Sequence, residues 1–262
     1  MTTEDFIIEL FCRVDDLMFD SKKHPQANLY PSEVVTIALL FALKGSGNRA
    51  FYRWLARDWR HLFPELPDRT RLFRLFNSHQ KYLTLFMAGT TLTGVIDSYG
   101  IELIHPRREG RTKHQIGKKG LSNKRWIVGG KLCLLLNHLG LVVDWGVDTA
   151  NVHDGSAFQE IVDRVENDMV VFADPHFKKK GWDPVNLKIC QKGTWNTRMM
   201  VETVLSMLTV VCHFKKVGHR VWDYFESRVG YTLALFNILV TWHGINPDED
   251  NYFRLSIAEF SL

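Results

Sequence analysis

Residues 125–147 read RWIVGGKLCLLLNHLGLVVDWGV, and they are the most informative part of the chain about its architecture. The stretches 125–137 and 141–147 are rich in Val, Ile and Leu, the residue types that β-strands favour. Between them, residues 138–140 (His-Leu-Gly) have the length and composition of a turn. We therefore predict an antiparallel β-hairpin here.

The segments on either side of this hairpin predict the rest of a sheet. Upstream, 92–97 (LTGVID) is apolar and ends in an acid, and downstream 169–173 (MVVFA) is a continuous apolar run that precedes Asp174. Such a run is typical of a parallel strand covered on both faces. A further short strand is predicted at 187–190, and helices at 156–165, 194–217 and 224–243. This order of elements predicts an α/β layer architecture with a mixed sheet: a strand, a hairpin, a helix, two strands and two long helices.

Residues 1–91 predict helices instead. The segment 32–45 (SEVVTIALLFALKG) starts with Ser32 as a predicted N-cap and ends near Gly45. Residues 68–76 predict a short helix with basic residues on one face. Short helices of this kind form either a helix-turn-helix-like DNA module or a plain helical bundle, and the sequence leaves both open. We predict a small all-helical N-terminal domain over 1–91 and an α/β domain over 92–262.

The distribution of charge is more informative than its total. The chain of 262 residues has a formal net charge of +4, which is only weakly basic. However, the segment 105–131 contains a single acid, Glu109, and a dense set of basic residues: Arg107, Arg108, Arg111, Lys113, Lys118, Lys119, Lys124, Arg125 and Lys131. Lys178, Lys179 and Lys180 form a second group directly after Asp174. A solvated loop is the alternative, but local positive charge this dense favours binding of a polyanion.

Other features of the sequence exclude several classes. The four cysteines show neither C-x-x-C pairs nor zinc-finger spacing, so we expect reduced thiols in a reducing compartment. The N-terminus, MTTEDFIIELF, lacks the basic start and apolar stretch of a signal peptide. The apolar runs are too short to cross a bilayer. We therefore predict a cytoplasmic protein that does not bind membranes.

Three acidic residues are candidates for chemistry. Asp97 and Asp174 are predicted at the carboxyl ends of two strands, the edge of an α/β sheet where ligands bind. Glu202 lies in the long helix that follows, with Arg198 four residues before it. Taken singly, each aspartate could be a turn or cap residue, and Glu202 could simply pair with Arg198. Together, three carboxylates suit hard cations such as Mg²⁺.

The segments around these acids resemble the DDE transposases of bacterial insertion sequences. The matching segments are TGVIDSYGIEL around Asp97, VVFADPHFKKKGW around Asp174 and WNTRMMVETVLSML around Glu202. The third departs from the family pattern, because it has Trp195 where relatives have Tyr and Thr209 where they have Lys. The resemblance implies an RNase H-like catalytic domain with a mixed five-stranded sheet flanked by helices. It also implies that Asp97, Asp174 and Glu202 are the catalytic residues.

The resemblance further implies the cofactor, the substrate and the assembly. The three acids are expected to bind two Mg²⁺ ions, for which Mn²⁺ substitutes. The substrate is expected to be double-stranded DNA, as terminal inverted repeats and as target, bound by a homodimer near the nucleoid of a bacterial or archaeal cell. The residues expected to contact DNA are Arg198, Arg107, Arg108, Arg111, Lys113, Lys118, Lys119, Lys178 and Lys179. Two alternatives remain open: an RNase H-like nuclease that cuts without joining, and a non-catalytic DNA-binding derivative of a transposase.

One further pair belongs to the resemblance. His153 and Asp154, in the segment NVHDG, resemble a His-Asp pair common in these enzymes between the hairpin and the next helix. From the residues alone, we predict that Asp154 caps the N-terminus of that helix.

Overall fold

The protein is described by a computed structural model that covers residues 1–122, 124–190, 197–214, 218–245, 255–260 and 262, with the backbone alone described at 197–199. The described α-helices are α1 (Thr3–Leu17), α2 (Pro31–Lys44), α3 (Asn48–Asp58), α4 (Arg69–Ser78), α5 (Asp154–Ala157), α6 (Gln159–Asp163), α7 (Thr197–Val210) and α8 (Trp222–His243). The strands are β1 (Thr93–Ile104), β2 (Lys118–Ser122), β3 (Arg125–Asn137), β4 (Val142–Thr149), β5 (Val170–Ala173) and β6 (Leu187–Ile189). Short 3-10 turns cover Gln80–Phe86, Pro106–Arg108 and Pro175–Phe177.

In the described part of the chain, the strands form one mixed six-stranded sheet. β1 pairs antiparallel with β3 and parallel with β5, which in turn pairs parallel with β6. On its other edge, β3 pairs antiparallel with two strands in succession, with β2 along residues 125–129 and with β4 along residues 130–136. The predicted mixed α/β sheet, flanked by helices and preceded by N-terminal helices, is confirmed. The sheet has one strand more than predicted because part of the basic segment pairs with the start of β3 as β2.

The hairpin predicted from residues 125–147 is formed by β3 and β4. Gly140 ends the turn with φ 78°, a left-handed conformation that favours glycine. Its N–H donates to the carbonyl of Asn137 at 2.9 Å, which closes the turn. The turn composition and the Val-, Ile- and Leu-rich flanks were therefore sufficient to predict this element.

Both faces of the sheet are covered by apolar side chains. Along β3, Leu132 and Leu134 belong to a large core shared with α7 and α8, whereas Cys133 and Leu135 belong to a smaller core shared with α6. Each of these four side chains is at most 1% exposed. This explains why β3 reads as a nearly continuous apolar run, since a strand covered on both faces has no solvent-facing side.

The large core extends from the sheet into the N-terminal helices, and α8 lies between the two. Its buried polar side chains reach both sides: Tyr231 donates to the carbonyl of Phe76 at 2.9 Å, and Asn237 donates to those of Phe86 and Val142 at 2.9 and 2.8 Å. The N-terminal helices therefore pack on α8 in the same core as one face of the sheet. The predicted domain boundary after residue 91 stays a prediction.

The start of α2 corrects one prediction. The N-cap is Tyr30, not Ser32, because Pro31 occupies the first helical position, where a missing N–H costs nothing. Glu33 accepts the N–H of Tyr30 at 2.6 Å and Ser32 is buried inside the helix. The predicted end is correct in position, since Gly45 terminates α2 with φ 62°.

Within the described ranges, every helix is too short or too polar to span a lipid bilayer.

Candidate active site

Asp97 and Asp174 lie side by side on adjacent strands. The parallel register of β1 and β5 pairs Val95 with Phe172 and Ile96 with Ala173. Asp97 is the next residue of β1, and Asp174 directly follows the end of β5. Neighbouring strands are about 4.8 Å apart, and residues in parallel register point to the same face. The fold therefore places two carboxylates from separate segments at one level of the sheet.

Asp97 does not end its strand, contrary to prediction. β1 continues to Ile104 because β3 pairs with it over that whole length, whereas β5 stops at Ala173. Asp97 therefore lies where the parallel neighbour ends and β1 runs on alone with β3. It is half-buried, and its Oδ1 accepts the backbone N–H of Ser98 at 2.7 Å.

Asp174 follows β5 directly, as predicted. Its Oδ1 accepts the N–H of His176 at 2.8 Å, so it caps the 3-10 turn Pro175–Phe177. This is the structural role that a single aspartate at a strand end commonly has. The side chain is half-buried, like that of Asp97. The cap holds the Asp174 carboxylate in a fixed orientation beside β1.

Glu202 lies on the helix that covers the same face of the sheet. Val201 and Val204 of α7 pack in the large core with Val95 of β1, and strand alternation places Asp97 on the face of Val95. Glu202 itself is exposed on the flank of α7. In the part of the chain that the structure describes, no three Asp, Glu, His or Cys side chains are grouped so that they could hold a metal ion. The structure thus brings the two aspartates together and places the helix of Glu202 over their face, without gathering all three carboxylates.

Two residues of the third motif cannot be assigned contacts. Trp195 lies outside the described residues, and for Arg198 only the backbone, in the first turn of α7, is described. The contact of Arg198 with DNA therefore stays a prediction.

The predicted DNA-contacting residues of the basic segment are exposed. Arg107 and Arg108 lie in a 3-10 turn after β1, and Lys118 and Lys119 lie on β2. Lys119 Nζ is 3.2 Å from the Glu109 carboxylate, so the lone acid neutralises only part of the charge. The remaining exposed members of the set are Arg111, Lys113, Lys178 and Lys179.

A cleft lies next to this basic region, between the β2–β3 pair and the start of α5. Its volume is about 350 Å³, and its lining includes Lys119 and Trp126 from the β2–β3 pair and His176, two residues after Asp174. Trp126 is 57% exposed, and Lys119 Nζ lies 5.6 Å from the centre of its ring. The cleft therefore combines a cation and an exposed aromatic ring, and it lies on the side of the sheet that carries Lys131 and Asp154.

Asp154 has a role that the sequence analysis missed. It does not cap α5, because it is the first residue of that helix and His153 occupies the N-cap position. Its carboxylate instead forms a largely buried ion pair with Lys131, at 2.6 Å, and accepts a hydrogen bond from Ser98. The signal in the sequence was the His-Asp pair itself, but its partners lie 23 and 56 residues away in the chain.

The buried Cys133 thiol lies among the charged groups of this part of the sheet. Burial raises the pKa of the Cys133 thiol well above its usual range, and the charges of Asp154 and Asp97 raise it further. The thiol is therefore neutral and unsuited to act as a nucleophile.

The comparison with known proteins agrees with this arrangement. Residues 89–185 match the family model described as the transposase DDE domain. The matched segment contains the strands β1 to β5, together with Asp97 and Asp174. It ends before β6 and Glu202. The resemblance read from the sequence is confirmed over residues 89–185, which are similar to the transposase DDE domain.

Proposed function

We propose that the protein is a DNA transposase that cuts phosphodiester bonds at the ends of its element and joins the freed 3′-hydroxyls to target DNA. The observation that carries the proposal is the pair Asp97 and Asp174, which directly follow the last register pair of β1 and β5 within the segment that matches the transposase DDE domain. Oxygen ligands of this type are those that Mg²⁺ and Mn²⁺ prefer. The residues present therefore fit a divalent cation.

In this proposal the three carboxylates share the binding of the metal. Asp97 and Asp174 supply ligands from the sheet, and Glu202 supplies one from α7. Two ions bound there would stabilise both the attacking and the leaving oxygen of the phosphodiester. Since Glu202 is exposed on the flank of α7, its carboxylate is expected to join the aspartates through a side-chain rotation or a shift of the helix.

The substrate in this proposal is double-stranded DNA. The exposed basic residues of 105–119 and Lys178–Lys179 would bind phosphates, and Arg198 would bind one close to Glu202. These contacts position DNA without reading its sequence. Joining two element ends requires two sites, so we propose a homodimer on DNA, acting at the nucleoid in the cytoplasm.

The test uses DNA that flanks the gene on both sides, with Mg²⁺ or Mn²⁺ as the only added cofactor. Cleavage at defined ends followed by joining of a pre-cut end to plasmid DNA supports the transposase. Cleavage without joined product identifies a nuclease. Binding without cleavage in Mn²⁺ identifies a non-catalytic DNA-binding derivative. The last two outcomes contradict the proposal.

Replacing Arg107, Arg108 and Arg111 together by Ala is expected to weaken DNA binding and to reduce its salt dependence. Each phosphate contact contributes about −0.9 to the slope of log K against log salt concentration. Loss of up to three contacts therefore makes the slope less steep by up to about 2.7. Fluorescence anisotropy with labelled DNA between low and moderate salt measures both quantities.

The control for this measurement is a variant with Lys22 and Lys23 replaced by Ala, in the N-terminal region and outside the basic segment. It is expected to retain the slope of the wild type. An arginine variant with an unchanged slope would show that the basic segment does not contact phosphates.

A further inference from the structure

A buried polar network lies on the face of the sheet opposite Asp97. Lys131 of β3 donates to Asp154 Oδ1 at 2.6 Å and to the carbonyl of Val152 at 2.8 Å. Ser98 of β1 donates its hydroxyl to Asp154 Oδ2 at 2.9 Å. The Lys131 and Asp154 side chains are only 14% and 10% exposed. The network therefore links β1, β3 and the start of α5 from within the protein.

Both carboxylate oxygens of Asp154 are engaged in this network, one by Lys131 and one by Ser98. An oxygen that accepts a short hydrogen bond from an ammonium group is poorly placed to bind a metal as well. Asp154 is thus not a fourth metal ligand, although it lies close in the fold to Asp97. Its contacts instead hold the side chains of Ser98 and Lys131 in place.

The connection to the candidate site passes through Ser98. The hydroxyl of Ser98 is held by Asp154, while its backbone N–H donates to Asp97 Oδ1 at 2.7 Å. Ser98 lies opposite Cys133 in the β1–β3 register, and Lys131 lies two residues before Cys133 on the same face. The Ser98 backbone that orients the Asp97 carboxylate is therefore connected, through the Ser98 hydroxyl, to the Asp154–Lys131 ion pair on the other face of the sheet.

We infer that Asp154 is a positioning residue, which holds Ser98 and thereby the Asp97 carboxylate in the geometry needed to bind the metal. This inference rests on the proposed function of Asp97. A buried ion pair adds little net stability over apolar residues of the same size. Its contribution is a fixed geometry, and hydrogen-bond partners of metal ligands typically change metal affinity or activity by about 10–100-fold.

The Asp154→Asn variant is expected to lower the cleavage rate by about 10–100-fold and to raise the Mn²⁺ concentration needed for half-maximal cleavage. DNA affinity is expected to stay unchanged, because no DNA contact is removed. Mn²⁺ binding is also measured without turnover, by electron paramagnetic resonance on a complex of the protein with DNA that cannot be cleaved. Weaker Mn²⁺ binding with unchanged DNA affinity is the signature of positioning.

A pair of variants at Ser98 separates positioning from a loss of folding. Ser98→Ala removes the hydroxyl that Asp154 holds and is expected to reduce Mn²⁺ affinity in the same direction. Ser98→Thr keeps a hydroxyl and suits a β-strand, so it is expected to retain most of the wild-type affinity and cleavage rate. Both changes are small enough to test the inference if Asp154→Asn fails to fold.

Asp144→Asn is the matched control. Asp144 lies on β4 and pairs with Arg164 at 2.7 Å, so the variant also breaks an aspartate–cation pair on this sheet, with no bond to Ser98. It is expected to behave like the wild type. If the wild type neither cleaves DNA nor binds Mn²⁺, the proposed function fails. If the wild type does both, and Asp154→Asn and Ser98→Ala equal it in Mn²⁺ affinity and rate, the positioning inference alone is wrong.

Discussion

Asp97→Asn is expected to reduce Mg²⁺-dependent DNA cleavage by at least about 10³-fold. The change keeps the size of the side chain but removes the charge that would hold the cation. Metal ions contribute several kcal/mol to the stabilisation of a phosphoryl transition state, and each 1.36 kcal/mol corresponds to tenfold in rate. Single-turnover cleavage of the DNA flanking the gene measures the loss.

DNA binding by this variant is expected to equal or exceed that of the wild type, because one negative charge near the substrate is removed. Asp174→Asn is expected to give the same result, since Asp97 and Asp174 directly follow the register pair Ile96–Ala173. Asp144→Asn, on the same sheet, is expected to cleave normally. An Asp97→Asn variant that still cleaved and joined DNA in Mg²⁺ would show that the site has been assigned to the wrong residues.

Asn237→Leu is expected to lower the free energy of unfolding by about 2–4 kcal/mol. The buried Asn237 amide accepts the N–H of Val142 at 2.9 Å and donates to the carbonyl of Phe86 at 2.9 Å. Leucine has a similar volume but leaves the Val142 N–H and the Phe86 carbonyl buried without these partners, at about 1–3 kcal/mol each. The Val142 carbonyl also loses the Asn237 amide but keeps the N–H of Ala88. Because Asn237 joins α8 to β4 and to the 3-10 turn before β1, the loss affects the whole core. Urea denaturation followed by circular dichroism measures the change.

Thr232→Val is the control for that experiment. Thr232 is also fully buried on α8, but its hydroxyl donates only to Arg228 O of its own helix, at 2.7 Å. Its removal is expected to cost no more than about 1 kcal/mol. If Asn237→Leu is no more destabilising than Thr232→Val, then the polar contacts of α8 do not hold the N-terminal helices and the sheet together.

Much of the fold was predictable because local patterns and tertiary packing agree. The β3–β4 hairpin followed from two apolar runs around a turn, and α2 ended at Gly45 as predicted. The start of α2 was wrong by two residues because Pro31 takes the first helical position and shifts the cap to Tyr30. β2 was missed because its sequence, KKGLS, is short and basic and becomes a strand only by pairing with β3.

The candidate site was predictable in part for a similar reason. Acids that follow apolar runs can be found by inspection, and parallel pairing then places Asp97 beside Asp174. The continuation of β1 beyond Asp97 depends on pairing with residues of β3 that are 24 to 35 positions away in the chain, and no local signal shows it. The contacts of Asp154 with Lys131 and Ser98 are long-range in the same way. From the sequence alone, a carboxylate at the start of a helix is interpreted as a cap. In the structure, Asp154 pairs instead with Lys131 on β3.

The most direct test of the proposed metal site is anomalous diffraction from crystals of the protein bound to an element end and soaked with Mn²⁺. The proposal predicts manganese peaks within about 2.5 Å of the carboxylate oxygens of Asp97 and Asp174, close to the usual Mg²⁺–oxygen distance of about 2.1 Å. It also predicts that the Glu202 carboxylate approaches the same peaks. The proposal would be contradicted if manganese bound only elsewhere in the complex. It would also be contradicted if no manganese lay between the two aspartates and the scissile phosphate.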